Sequence, residues 1–184
     1  MYNDALEVVQ LKNIVFLASI PLTAGLLSAQ TAADPLSAGI KGMYNSIKNN
    51  VIKSAEKMPE ENYAFQPTPE VRTFGRLVGH VADAQYLFCS VVLGEKNPAP
   101  GIEKGKTSKA DLVAALKDAF AYCDKVYDGM TDAHAAEIVK FFGRDQAKLV
   151  VLAFNSAHND EHYGNIVTYM RMKGLVPPSS EGRR

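Results

Sequence analysis

The sequence predicts an all-α protein, a four-helix bundle with long inter-helix connections, and three observations predict it. Apolar residues recur at alternating three- and four-residue spacing in four separate segments, the period of a helix that buries one face. Alternating apolar and polar runs, the mark of half-buried strands, are scarce. Proline and glycine clusters fall in the gaps between the four segments, where they punctuate the chain. Four amphipathic helices bury their stripes best against one another.

At 184 residues and 47% hydrophobic content, the chain can fill a sizeable core. Twenty Lys plus Arg balance twenty Asp plus Glu, and no basic cluster offers an electrostatic footprint for nucleic acid or an anionic membrane. There is no Gly-rich phosphate loop and no internal repeat.

The first segment lies outside the bundle. Lys12 precedes an apolar run from Ile14 to Leu27, and the small residues Ser28 and Ala29 follow. That is the layout of a secretory signal, too short to serve comfortably as a membrane anchor. Residues 1–29 are therefore read as a signal peptide cleaved after Ala29, with Ala33 as a second site. Asp4 and Glu7 sit oddly ahead of a basic region, so residues 1–10 read as an over-extended start, with translation beginning near Leu11. A buried N-terminal helix is the alternative. On the signal reading, residues 30–184 form one exported domain, periplasmic or secreted, with no membrane attachment after cleavage.

Within that domain the first helix is predicted over about 36–57, with Ile40, Met43, Ile47, Val51, Ser54 and Met58 inward. Pro59, Pro67 and Pro69 break the chain after it. The second, about 71–94, carries Leu77, His80, Ala84, Leu87 and Val91 on its stripe, and Gly94 stops it. Ser108 with Asp111 three residues on caps a third helix reaching about 128, with Leu112, Leu116, Ala119, Cys123, Val126 and Met130 inward. An irregular stretch around Gly143 leads to a fourth helix, about 145–173, ended by Gly174. Connections of about 13 residues or more exceed those of simple antiparallel bundles and imply at least one crossover. Cys123 falls on its helix's stripe and Cys89 does not, so two buried thiols are expected; export would permit a disulfide.

Function enters through the histidines, of which there are four. His158 and His162 are four apart on the fourth helix, roughly 40° from one another around its axis, so both imidazoles can reach one point. His80 lies on a second inward stripe. Three imidazoles would hold a divalent metal and leave a position open for water or substrate, the layout of a catalytic site. The stripe that carries the pair also includes Val151, Phe154, Asn155, Asn165 and Tyr169; it should face the bundle although it is partly polar, and buried polar groups need partners. Asp83, one turn after His80, and Glu161 are candidate catalytic helpers that could orient a ligand or move a proton. Tyr86, Asn155, Asn159 and Tyr163 could line the pocket. The run His158–His162 also fits the H-x-x-E-H pattern of inverted zinc peptidases, but those need an acidic ligand well downstream and only 22 residues remain. Ser156 lacks the strained turn of a hydrolase nucleophile, and His134 belongs to a surface loop or short helix.

Two stretches resemble the DinB/YfiT-like superfamily: Arg72-Thr73-Phe74-Gly75-Arg76-Leu77-Val78-Gly79-His80-Val81-Ala82-Asp83-Ala84, and Ala157 through Asn165 running on to Thr168-Tyr169-Met170-Arg171 and Gly174–Ser179. The resemblance covers roughly residues 34–180. It implies a bundle with a divalent metal, commonly zinc or nickel, on His80, His158 and His162, often in a homodimer. It further implies a metal-dependent hydrolase or a thiol-dependent transferase acting on a small molecule; the scarcity of small thiols outside the cytoplasm weighs against the second. A non-catalytic metal- or ligand-binding module is the alternative.

Overall fold

The structure is a computed structural model that describes residues 34–182, so the signal segment and its cleavage sites lie outside the described residues. In chain order come α1 (Pro35–Lys57), α2 (Phe74–Leu93), α3 (Ile102–Gly105), α4 (Lys109–Asp128), α5 (Asp132–Ala135), the hairpin β1 (Ile138–Phe141) and β2 (Arg144–Ala147), and α6 (Lys148–Met172). The long helices α1, α2, α4 and α6 make the four-helix bundle. Both α1 and α2 pack on α4 and α6. The pairs α1/α2 and α4/α6 are thus the diagonals, and the chain crosses the bundle after α1 and again after α4. Residues 58–73 and 129–147 supply the length those crossings need.

Local chemistry sets the helix ends. Thr73 accepts from the Arg76 N–H at 3.2 Å, so α2 begins at Phe74 instead of near residue 71. Ser108 caps α4 by accepting from the Asp111 N–H at 3.1 Å, as the sequence predicts. Gly94, at φ 72°, takes the left-handed conformation that ends α2 and that glycine adopts without steric cost. The start of α1 is capped from a distance: the Asp132 carboxylate accepts from the N–H groups of Leu36 and Ser37.

In three places the structure corrects the sequence reading. First, the buried line of α2 runs through Val78, Val81, Gln85, Phe88, Cys89 and Val92, while Leu87 is 40% exposed and Val91 is half-buried. The helix is covered on two flanks, by α4 and by α6, and the His80 line lies along the edge of that contact. Met43 and Phe154, also expected inward, are exposed. Second, Cys89 and Cys123 are joined in a disulfide with Cα atoms 5.5 Å apart, not left as two thiols. Cys89 faces α4 because that second flank is buried too. Third, the irregular stretch around Gly143 is an antiparallel hairpin, with Phe141 opposite Arg144. Its two turn residues, Phe142 (φ 46°) and Gly143 (φ 77°), both have positive φ, as the type I′ hairpin turn requires. The usual Asn-Gly signal is absent because a phenylalanine occupies the first position, its ring 4.2 Å from that of Phe141.

Candidate metal centre

Helical periodicity on α6 puts His158 and His162 one turn apart, and the edge of α2 brings His80 across to them. The Nε2 atom of His158 lies 3.2 Å from that of His80 and 3.0 Å from that of His162. One ligand atom from each of the three lies within 4.8 Å of the other two. His162 is buried; His80 and His158 are half-buried. The three histidines singled out in the sequence therefore form one cluster.

The cluster fits a divalent ion on two grounds. Nitrogen atoms bound to one zinc at about 2.0–2.1 Å stand roughly 3–3.4 Å apart for angles between octahedral and tetrahedral, and the two measured separations fall in or near that range. The donors are also in the right state. Burial, then the neighbouring imidazoles and Arg72, push the His158 pKa down to about 3. Burial and His80 push that of His162 down to about 4, against the opposing pull of Glu161 and Glu103. Both are neutral at pH 7 and carry a free lone pair. The buried Nδ1 atoms of His158 and His162 have no hydrogen-bond partner among the described residues.

His80 differs from the other two. Its Nδ1 lies 3.1 Å from Oε2 of Glu103, whose Oε1 accepts from Nε of Arg72 at 3.0 Å. Burial alone would raise the Glu103 carboxyl, but the hydrogen bond and charge of Arg72, together with His80, hold it below its ordinary value. Glu103 was not foreseen. It sits on the single-turn α3, 23 residues from His80, in a segment with no periodicity to orient it.

The two proposed helpers occupy different places. Asp83 uses both carboxylate oxygens on backbone: Oδ1 accepts from the N–H groups of Gly101 and Ile102, and Oδ2 from that of Glu103, at 2.8–2.9 Å. It anchors α3. Glu161 is exposed and lines a cleft of about 580 Å³ with Arg72, Arg76, Glu103, His162 and Asn165. On the opposite flank the buried Phe88 ring stands 5.4 Å from that of His158.

The other sequence candidates lie apart from this cleft. Asn155 and Asn159 are fully buried in an amide network with Gln85, which donates to Asn159 at 2.7 Å and accepts from Asn155 at 3.0 Å. Tyr163 donates to Ser179 at 2.8 Å, and Tyr86 packs on Tyr122. The buried Ser156 hydroxyl returns to the Leu152 carbonyl, which leaves it no nucleophilic role. His134 is exposed on α5.

Residues 46–166 match the DinB superfamily. The chain is 24% identical over 132 residues to the uncharacterized protein YjoA of Bacillus subtilis strain 168, spanning 70% of this chain and 85% of that one. A DinB-like protein from Bacillus cereus ATCC 10987 superposes with a TM-score of 0.68 at 20% identity, over 77% of this chain and 95% of its own. The B. subtilis YjoA structure gives 0.63 at 23% identity, over 75% and 93%. A mycothiol-dependent maleylpyruvate isomerase, crystallised as a histidine-to-alanine variant, gives 0.60 at 13% identity, over 71% of this chain and 60% of that one. These structural likenesses show a shared fold.

Proposed function

The chain belongs to the DinB superfamily, and from that premise we propose that it is an exported, divalent-metal-dependent enzyme that hydrolyses a small molecule. One observation carries the reading: three imidazole nitrogens from two helices converge beside an open cleft. His80, His158 and His162 would hold the ion, and zinc or nickel suits that donor set. Such an ion acts as a Lewis acid and lowers the pKa of a bound water or thiol toward neutrality.

The rest of the chemistry belongs to the chain. His158 and His162 enter as neutral donors, so the ligand set cancels none of the ion's charge and favours an anion opposite it. Arg72 and Arg76 line the cleft and present cations to a substrate's anionic part. Glu161, on the same wall beside His162, is the carboxylate positioned to take a proton at one of its oxygens. The buried Phe88 ring packs edge-on against the His158 imidazole and helps hold its orientation. The Cys89–Cys123 disulfide supports the export reading, because such bonds persist in oxidising compartments. Export favours water over a small thiol as the nucleophile, whereas likeness to a mycothiol-dependent isomerase favours the thiol.

Elemental analysis of the full-length protein beside His80→Ala tests the site: near-stoichiometric metal in the parent and its loss in the variant are expected. Absence of metal after chelator-free purification would sink the proposal. An electrophilic ester probe, assayed with and without added thiol, then separates hydrolysis from thiol transfer. Inertness in both assays favours a non-catalytic binding module.

A further inference from the structure

We propose that Glu103 is a positioning residue for the metal centre, holding His80 in its Nδ1–H tautomer so that the Nε2 lone pair faces His158 and His162. The proposal rests on the three-histidine reading above and adds a device that builds the site.

Three independent contacts make that device. Glu103 Oε2 lies 3.1 Å from His80 Nδ1, and its side chain is only 15% exposed. A carboxylate can only accept, so the nitrogen that meets it is the one carrying the proton. Arg72 fixes the other oxygen at 3.0 Å, with the Arg76 Nε 3.6 Å away, so the carboxylate is held from two sides. Beneath it, Asp83 binds three consecutive N–H groups, those of residues 101–103, and sets the path of the backbone that delivers Glu103.

Gly79, the residue before His80, makes room for that backbone. A Cβ at position 79 would stand 2.7 Å from the Glu103 Cα, closer than real Cβ contacts come, and a tight 3.1 Å from its N. Residues 101–105 thus form a strut pressed onto α2, pinned by Asp83 one turn past His80 and ending in the carboxylate that orients it. Among the described residues no comparable partner serves the Nδ1 atoms of His158 and His162. His80 is the one ligand of the three whose proton is placed by the protein.

Long-range proton–nitrogen spectra of the imidazoles in metal-free, full-length protein test this directly, with His80→Gln assigning the signals. The parent is expected to show His80 as the Nδ1–H tautomer. Glu103→Ala is expected to lose that tautomer's dominance and to bind zinc 10- to 100-fold more weakly in chelator competition, the usual effect of removing a carboxylate partner from a ligating histidine. Glu103→Gln, whose carbonyl still accepts, should restore the tautomer. An Nε2–H tautomer in the parent overturns the proposal, as does an unchanged tautomer in Glu103→Ala. A parent that binds no zinc yet holds His80 as Nδ1–H upholds the Glu103 lock while overturning the enzyme reading.

Discussion

His158 and His162 differ from ordinary helix-surface histidines in what burial does to their protons. Both imidazoles are held well below their ordinary value in the fold, to about 3 and about 4, whereas in the unfolded chain they titrate near 6.5. Below about pH 6.5 the unfolded state therefore binds more protons, and the metal-free fold loses stability as the pH falls. Thermal melts of chelator-treated protein should show a falling midpoint between pH 7 and 5, above the range where carboxylates join in; His158→Gln should flatten the slope. A flat profile in the parent would contradict the burial described here. At this scale the three-histidine cluster was legible in sequence, because four-residue spacing on a helix is a geometric statement. Glu103 was not: its pairing with His80 depends on how a loop folds back over α2, which no local pattern encodes. Asp83 was singled out for its place one turn from His80, and that place is real, but its oxygens serve the strut.

Among the elements, α2 is the one that the apolar pattern only half describes. A single-stripe reading assumes one buried face, and it put His80 within the inward stripe; the helix is buried on two flanks, and His80 sits at their border, half-buried. The two glycines nearest the histidines make opposite predictions. Gly79→Ala should destabilise the fold by about 1–3 kcal/mol, the usual cost of overpacking, because its Cβ would meet backbone on α3. Gly164, on α6, has nothing within 4 Å of a would-be Cβ, so Gly164→Ala should stabilise by about 0.5–1 kcal/mol through helix propensity. Urea midpoints of the two variants check both signs. The hairpin stayed hidden for a different reason. Its turn relies on Phe142 at positive φ, a conformation bulky side chains rarely adopt, and the ring's contacts with Phe141, Phe88 and Phe154 accompany it there.

For the whole molecule, the four amphipathic segments and their long connections were enough to give the bundle with at least one crossover, but not which connections cross, since residues 94–108 join the adjacent α2 and α4 over nearly the length of the 58–73 crossing. The disulfide was not legible either, because its geometry depends on the packing of α2 on α4. Closing a loop with a sequence separation of 34, the bond should contribute about 4 kcal/mol in the chain-entropy account. Replacing both Cys89 and Cys123 by alanine should lower the urea-derived stability by at least that much; a change below about 1 kcal/mol would show that the fold does not depend on the bond. The same bond has a mechanical consequence. It rivets α2 to α4, and a metal on the three histidines would rivet α2 to α6, so three of the four columns become one cross-linked frame. Only α1 of the four would then carry no such cross-link, held by the packing of Tyr44, Ile47 and Val51, by Tyr44 and Lys48 on Asp124 of α4, and by the distant Asp132 cap. In a loaded and oxidised molecule, α1 is the plank expected to lift first.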